Sequence, residues 1–269
     1  MRMMSGTAVR QGQKLPIVSN RELIDNFNQR FAVITADTIA LQEQAYRLRY
    51  QVYCIENNFE NPLDHQLEQE MDEFDARSVH SVIIDRPSQD VIGTVRIILP
   101  DPDAIEKSFP IQRECSLPLM RGNKKLNTSR SAEISRFAVS KEFSRRTADH
   151  QPSPRQAADL RDERRSAMPN ITLGLMNGIV RMSVEHGITE WFAVMEPTLL
   201  RLLARFGIYF SPIGPMVNYH GMRQPCHANV ESLLGRVRKE RIDVWEVITD
   251  NGTLLDRENQ PFASFRLIN

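Results

Sequence analysis

The feature that most restricts the fold of this chain is an arginine inside a hydrophobic strand. Arg96 interrupts residues 91–99 (VIGTVRIIL), a β-branched run that predicts a buried strand. Residues 133–139 (EISRFAV) predict another strand, which carries Glu133 and Arg136. A buried charge costs several kcal/mol unless it is paired. The fold must therefore bring charges of opposite sign to these two strands.

Other charged residues are available as partners. Arg49 lies on a predicted helix over residues 38–53, and Asp72 and Asp75 close a polar, acidic loop over residues 54–75. The groups that could offset one another are Arg49, Arg96, Arg136, Asp72, Asp75 and Glu133. Two interpretations stay open: a buried ion-pair network that joins helix to sheet, and a site in which arginines orient a carboxylate that accepts a proton.

Strand geometry also predicts which side chains share a face. Because successive residues of a strand point to opposite sides, Glu133 is expected on the side of Ser135. Arg136 is expected on the other side, together with Ile134 and Ala138.

Composition excludes several classes of protein. The 34 basic and 34 acidic residues argue against a strongly basic nucleic-acid binder and against an acidic solvating protein. The cysteines, Cys54, Cys115 and Cys226, lie far apart, which predicts neither a disulfide framework nor a metal site. There is no apolar run of the ~20 residues that a membrane span needs. The first residues, MRMMSGTAVRQGQKLP, lack the apolar core of a secretory signal, so we expect a cytoplasmic protein.

The order of predicted elements indicates one domain. Residues 1–20 are predicted to be a flexible tail, and residues 21–269 a single domain. After the helix over 38–53 come strands at 79–84, 91–99, 133–139, 190–195 and 243–248, with helices at 170–186, 197–205 and 228–238. This order predicts a mixed sheet flanked by helices, of class α/β or α+β. The apolar helix over 170–186 would fill the core or line an apolar tunnel.

Residues 144–168 are rich in arginine and poor in apolar side chains, which predicts an inserted loop or flap. Clustered guanidinium groups suit the phosphate and carboxylates of an acidic partner. A solvated loop is the alternative, because acidic residues dilute the positive charge. The candidate partner-binding residues are Arg145, Arg146, Arg155, Arg161, Arg164 and Arg165.

At its charged positions the sequence resembles the acyl-homoserine-lactone (autoinducer) synthases. The matching segments are LRYQVYCIENNFE, MDEFD, GTVRIIL and EISRFAVS. They place Arg49, Tyr53, Phe59, Asp72, Asp75, Arg96, Glu133 and Arg136 at motif positions, with Phe109 as a further aromatic. Phe59 stands where that family more often has tryptophan.

EPTLLRLLARFGI and IGPMVNYHGMRQPC make the sequence similar, more closely, to long-chain N-acyl amino acid synthases, a branch that includes PEP-CTERM/exosortase system-associated acyltransferases. The resemblance spans residues 35–250. It implies a GNAT-like acyl-CoA N-acyltransferase fold, with a mixed central sheet whose fourth and fifth strands, EISRFAV and EWFAVM, splay to admit pantetheine. The glycine-rich pyrophosphate loop of acetyl-CoA enzymes is missing, with VSKEFSRR and the arginine-rich segment in its place. This suits a donor on an acidic acyl carrier protein, which the arginines of residues 144–168 would bind.

The resemblance also implies the chemistry: transfer of a fatty acyl group from an acyl carrier protein or CoA thioester to a small amine, with no tightly bound cofactor. Glu133 would be the base, supported by Arg49, Arg96 and Arg136, with Asp72 and Asp75 placing the acceptor or fixing the loop. Phe137, Ala138 and Val139 would meet the donor and its oxyanion, and Tyr53, Phe59, Phe109, Ser135 and His220 would form the substrate pocket. Two alternatives remain: lactone synthesis from S-adenosylmethionine, and a non-catalytic module that binds a lipid or a partner. Any membrane contact would come through the lipid product.

Overall fold

The structure, a computed structural model, describes residues 20–115, 120–121, 124–125, 128–141 and 154–256. The helices in these ranges are α1 (Asn20–Arg30), α2 (Ile39–Tyr50), α3 (Pro110–Glu114), α4 (Pro154–Glu185), α5 (Pro197–Arg205), α6 (Val230–Glu240) and α7 (Ile242–Thr249). The strands are β1 (Phe31–Thr35), β2 (Ser78–Asp85), β3 (Val91–Ile98), β4 (Met120–Arg121), β5 (Lys124–Lys125), β6 (Ser131–Val139), β7 (Glu190–Met195), β8 (Ser211–Pro212), β9 (Val217–Asn218) and β10 (Met222–Asn229).

The main sheet opens between its fourth and fifth strands. Its order is β1-β2-β3-β6-β7-β10-β8, with β9 added at β10. Strands β6 and β7 are parallel, while the other neighbours are antiparallel. The pairing of β6 with β7 ends at Ile134 and Ala193. Residues 135–139 continue beside β3 alone, so the predicted splay of these two strands is confirmed.

Helix α4 lies against one face of the sheet and is the centre of the core. Its residues Ile171, Leu175 and Ile179 are completely buried. Gly174 and Gly178 let the helix approach β2 closely: a Cβ atom at Gly178 would lie 2.4 Å from the hydroxyl oxygen of Ser81. The opposite face carries α2 and the acidic loop, which we define as residues 57–77.

Helix α4 is longer than predicted. The predicted helix began at residue 170, but α4 begins at Pro154, so residues 154–168 are not the expected loop. The segment is rich in Ala, Arg, Glu and Gln, which favour helix even without a core-facing stripe, and proline is well tolerated in a first turn. Arg155, Arg161, Arg164 and Arg165 therefore lie on α4. Arg145 and Arg146, like the predicted tail over residues 1–19, lie outside the described residues.

The last predicted strand, over residues 243–248, is also wrong. These residues form α7, which packs against α4 and α1. The side-chain amide of Asn177 donates to the carbonyl of Val247 at 2.8 Å, which joins the two helices. Tertiary packing thus overrides the β propensity of this short apolar run. Within the described residues, no helix combines the length and apolarity needed to cross a membrane.

Candidate active site

Strand β6 contains an extra residue near its centre. Two residues of β6, Arg136 and Phe137, lie opposite the single β3 residue Val95. Arg136 has a positive φ of 50°, which is uncommon for a residue with a side chain. The extra residue makes a β-bulge, a device that re-aims side chains near functional sites.

The bulge places Arg136 on the face where alternation does not predict it. Arg96 donates to the hydroxyl of Ser135 at 3.0 Å, which shows that Ser135 faces the acidic loop. Arg136 faces the same loop, where its Nη2 donates to Glu70 at 2.8 Å. Phe137 instead packs against the core beneath α4. The expectation that Arg136 and Ser135 lie on opposite faces is wrong because the bulge interrupts the two-residue period.

A buried ion-pair network joins α2, the acidic loop and β3. Arg49 contacts Glu70 at 2.6 Å and Asp75 at 2.7 Å. Arg96 contacts Asp72 at 2.6 Å and Asp75 at 2.7 Å. The side chains of Arg49 and Arg96 are almost fully buried, so each needs these carboxylates to remain charged inside the protein. The predicted network is therefore present.

Glu70 is the member of the network that the sequence interpretation missed. It bridges two arginines, Arg49 and Arg136. Burial alone would raise the pKa of Glu70, but these two guanidinium groups outweigh it and lower the pKa to about 2. The available signal was its spacing, because a residue two positions before Asp72 points to the same side of an extended segment.

Glu133 stands apart from the network. It is 3% exposed and accepts the backbone N–H of Ile111 at 2.8 Å. In the part of the chain that the structure describes, Glu133 makes no salt bridge with Arg49 or Arg96. Burial raises the pKa of Glu133 to about 7, against the opposing effects of the Ile111 N–H and of Arg96. A carboxyl group with this pKa exchanges its proton near neutral pH, as a general base must.

A cavity of about 490 Å³ lies in the opening between β6 and β7. Of the predicted catalytic residues, Asp72, Arg96, Glu133 and Arg136 line it, as does the pocket residue Ser135. Arg49 and Asp75 lie behind this surface, within the ion-pair network. Their predicted catalytic role is thereby reduced to holding Glu70, Asp72 and Arg96 in place.

Ring side chains line the mouth of the cavity. Three of them, Tyr53, Phe59 and His220, are residues predicted for the substrate pocket. The guanidinium of Arg136 lies 5.0 Å from the ring centroid of Tyr53. The rings of Tyr53 and Phe59 lie 6.2 Å apart, and those of Phe59 and His220 lie 5.4 Å apart. Burial lowers the pKa of His220, against the opposing effect of Glu60, so the neutral imidazole is favoured.

Phe109, predicted for the substrate pocket, does not line the cavity. Its side chain is completely buried, with its ring 6.0 Å from that of Phe192. Its backbone N–H donates to the side-chain oxygen of Gln112 at 2.9 Å and so fixes the start of α3. Phe109 thereby anchors the helix whose Ile111 N–H binds Glu133.

Backbone directions identify which N–H groups face the opening. The N–H of Ser140 donates to the carbonyl of Ile92 on β3 at 3.0 Å. Since N–H directions alternate along a strand, the N–H of Ala138 also points to β3. Those of Phe137 and Val139 point to the other edge, where β7 has separated. Ala138 is therefore corrected as a candidate N–H donor to an oxyanion, whereas Phe137 and Val139 remain.

Cys54 has no nucleophilic setting. Its side chain is completely buried, and burial raises the pKa of its thiol to about 11. The reactive form of cysteine is the thiolate. Cys54 therefore stays protonated at neutral pH.

The splayed fourth and fifth strands, the mixed open sheet and the cleft between them define the GNAT fold of acyltransferases, which confirms the predicted fold class. Residues 48–151 match the profile of the acetyltransferase (GNAT) domain. This segment contains β2, β3, β6 and the whole ion-pair network. The matching domain supports an acyltransferase.

Solved structures with this fold include TofI in a ternary complex with an inhibitor and MTA, at a TM-score of 0.52 and 16% identity, covering 77% of this chain and 96% of TofI. The CoA-dependent acyl-homoserine lactone synthase BjaI, solved with SAM and isopentyl-CoA, has a TM-score of 0.51 and 18% identity, covering 82% of this chain and 88% of BjaI. FeeM, an N-acyl amino acid synthase from uncultured soil microbes, has a TM-score of 0.47 and 15% identity, covering 77% of this chain and 94% of FeeM. No curated protein sequence matches the chain.

Proposed function

We propose that this protein is an N-acyltransferase that moves a fatty acyl group from a thioester to the amine of an amino acid or a similar small acceptor. The observation that carries the proposal is Glu133, a buried carboxyl group with a pKa of about 7 that lines the cavity between β6 and β7. The surrounding arginines are paired with other carboxylates, which leaves Glu133 available for proton transfer.

The first step is removal of a proton from the acceptor. An ammonium group has no lone pair, so it must lose a proton before it attacks. Glu133 accepts this proton directly or through a water molecule. Asp72, which lines the same cavity and is held by Arg96 at 2.6 Å, orients the amino group.

The second step is attack on the thioester carbonyl. The amine nitrogen forms a C–N bond, and the carbonyl oxygen gains negative charge, which the N–H groups of Phe137 and Val139 stabilise. The tetrahedral intermediate collapses with cleavage of the C–S bond. The nitrogen loses its second proton and the departing thiolate takes it up, so the products are an amide and a free thiol, with the first proton left on Glu133.

The cavity provides separate places for the two substrates. On the α4 side of the opening it is lined by apolar residues, among them Met168, Leu199 and Leu202, which suit an acyl chain. The donor is acyl carrier protein or CoA. We assign carrier-protein docking to the arginines of residues 144–168, as the resemblance suggests. The link to PEP-CTERM/exosortase systems rests on that resemblance as well.

The experiment is mass spectrometry of lipid extracts from cells that express the wild-type chain or Glu133→Gln. The proposal expects a new N-acyl amino acid with the wild type and its loss with Glu133→Gln. The same product in both strains would remove Glu133 as the base. An acyl-homoserine lactone instead would show lactone synthesis. If neither strain gives a new lipid, the purified protein is supplied with acyl carrier protein or CoA donors. If no product forms there either, the proposal is wrong.

A further inference from the structure

The mouth of the cavity contains one arginine whose carboxylate contact is long. Four arginines line the cavity. Arg96 contacts Asp72 at 2.6 Å, Arg136 contacts Glu70 at 2.8 Å and Arg113 contacts Glu73 at 2.8 Å. The fourth, Arg223, has a longer carboxylate contact, 3.4 Å to Glu196.

The contacts of Arg223 are long and incomplete. Its Nη2 lies 3.4 Å from a carboxylate oxygen of Glu196, whose side chain is 49% exposed, and 3.4 Å from the carbonyl of His220. Its Nε is buried, yet it has no hydrogen-bond partner among the described residues. A guanidinium has five N–H donors in a fixed fork. Within the described residues, the hydrogen bonds of Arg223 therefore use only Nη2 among its donors.

Arg223 is nevertheless held in position. Its side chain is 15% exposed, and its guanidinium lies 5.5 Å from the ring centroid of Phe59, which closes the mouth from the acidic loop. A guanidinium stacked on an aromatic ring keeps its plane while its edge remains free to bind an anion. The fork is thus already oriented before a ligand arrives.

Strand register places Arg223 on the same face of the sheet as Glu133. Phe192 pairs with Glu133 on β6 and with His227 on β10, and paired residues share a face. Four residues before His227, Arg223 falls on that face again. The offset along the strands is about 13 Å, which the extended arginine side chain and a small acceptor together span.

We propose that Arg223 binds the carboxylate of the acceptor, so that the enzyme selects amines that also carry a carboxylate group. This assignment rests on the proposed function and specifies its acceptor. Planar, bidentate recognition of a carboxylate is what a guanidinium edge does best. The bound carboxylate would give Arg223 a closer partner than Glu196, and it would orient the amine toward Glu133.

The test measures release of free thiol from a long-chain acyl-CoA with each of the common amino acids and with the corresponding amino acid carboxamides. The proteins are wild type, Arg223→Gln, Arg223→Lys and Arg236→Gln. Arg236 is the matched control, because it lies over the ring of Tyr209 at 5.4 Å and is exposed outside the cavity.

The wild type is expected to prefer the best amino acid over its carboxamide by about tenfold or more in kcat/KM, as loss of a charged hydrogen bond predicts. Arg223→Gln should raise KM for the amino acid and abolish this preference, because the carboxamide gains little from Arg223. Arg223→Lys should restore part of the preference, and Arg236→Gln should behave as the wild type. Equal slowing of both acceptors by Arg223→Gln, or a raised KM for the acyl-CoA alone, would overturn the assignment.

Binding separates this inference from the reaction itself. The same amino acids, added without acyl-CoA, should raise the unfolding temperature of the wild type more than their carboxamides do, and Arg223→Gln should lose the difference. Such binding without thiol release from either acyl-CoA or acyl carrier protein would refute the proposed reaction and keep the role of Arg223. Release of thiol without discrimination between amino acid and carboxamide would keep the reaction and refute the role of Arg223. If neither thiol release nor binding discriminates between amino acid and carboxamide, the role of Arg223 is refuted as well.

Discussion

The carboxylate of Glu133 accepts the backbone N–H of Ile111 at 2.8 Å, and this contact sets the position of the candidate base. Ile111 is in the first turn of α3, a helix held in place by the buried ring of Phe109. A backbone donor fixes the orientation of a carboxylate without adding the full charge of an arginine. The pKa of Glu133 is accordingly raised to about 7 instead of being lowered as that of Glu70 is.

The rate of acyl transfer should depend on pH through Glu133. The base must be deprotonated, so kcat/KM should fall as pH falls through about 7, the pKa of this carboxyl group. Glu133→Gln should lower kcat/KM by about 100-fold or more and remove this acidic limb. The measurement is thiol release from acyl-CoA between pH 5.5 and 9. An unchanged acidic limb in Glu133→Gln would assign it to another group.

The free energy of unfolding should depend on the protonation of Glu133 in the opposite sense: deprotonation activates the base but destabilises the fold. The pKa of Glu133 is raised from 4.5 to about 7 on folding, so its contribution is fully present below pH 4.5 and is lost as pH rises through 7. Glu133→Gln removes this loss. Its free energy of unfolding relative to the wild type should increase by roughly 3 kcal/mol between pH 4.5 and pH 8. Urea unfolding at both values measures it, and a constant difference would contradict it.

Glu70→Gln should destabilise the fold strongly. It leaves Arg49 and Arg136 short of a carboxylate in a buried site, which typically costs about 3–5 kcal/mol. Because the pKa of Glu70 is lowered to about 2, this contribution is present above pH 4.5 and is lost as pH falls toward 2.

Glu68→Gln is the matched control for Glu70→Gln, since Glu68 is exposed on the same loop. Urea unfolding at pH 7 should show little change with Glu68→Gln. Equal effects of the two variants would mean that the ion pairs of Glu70 contribute nothing specific.

Gly178→Ala tests the close contact between α4 and β2. The added Cβ would lie 2.4 Å from the hydroxyl oxygen and 2.7 Å from the Cβ of Ser81. Such overpacking typically costs about 1–3 kcal/mol. Combining Gly178→Ala with Ser81→Gly removes both clashing atoms, so a double-mutant cycle by urea unfolding should give a favourable coupling energy. Strictly additive effects would show that the helix moves away without cost.

Leu199→Phe tests the proposed acyl site. Leu199 lines the cavity from α5, so a larger side chain should shorten the acyl chain that fits. Each methylene that is no longer accommodated should lower kcat/KM about tenfold. Rates with a series of acyl-CoA chain lengths measure the shift. Leu200→Phe, on the same helix but not lining the cavity, should leave the preferred length unchanged. An identical profile for Leu199→Phe would place the acyl chain elsewhere.

The sequence predicted which arginines lie at the site better than it predicted their ion-pair partners. Arg96 and Arg136 stood out because buried strands exclude unpaired charge, and both are indeed paired. Glu133 was expected among their partners, but Glu70 takes that place. Which of several acidic residues in one loop turns inward depends on the course of the loop, and composition does not specify it.

Backbone irregularity explains a second group of differences. The bulge at Arg136 carries no glycine or proline that would mark it, so strict alternation was the natural prediction for β6. The β-branched residues of α7 predicted a strand. In the structure they are buried on a helix that packs against α4. Short apolar runs are compatible with either structure, and packing decides between them.

The bulge in β6 works like a frameshift in the strand. Before it, the odd-numbered residues Glu133 and Ser135 face the acidic loop; after it, the even-numbered Ala138 does, packed beside Tyr53. Removing one residue there would change no other side chain chemically, yet it would move each later residue of β6 to the opposite face of the sheet. The chemistry of this site therefore depends on a residue count as much as on residue identity, and a length change in β6 should be less tolerated than most substitutions within it.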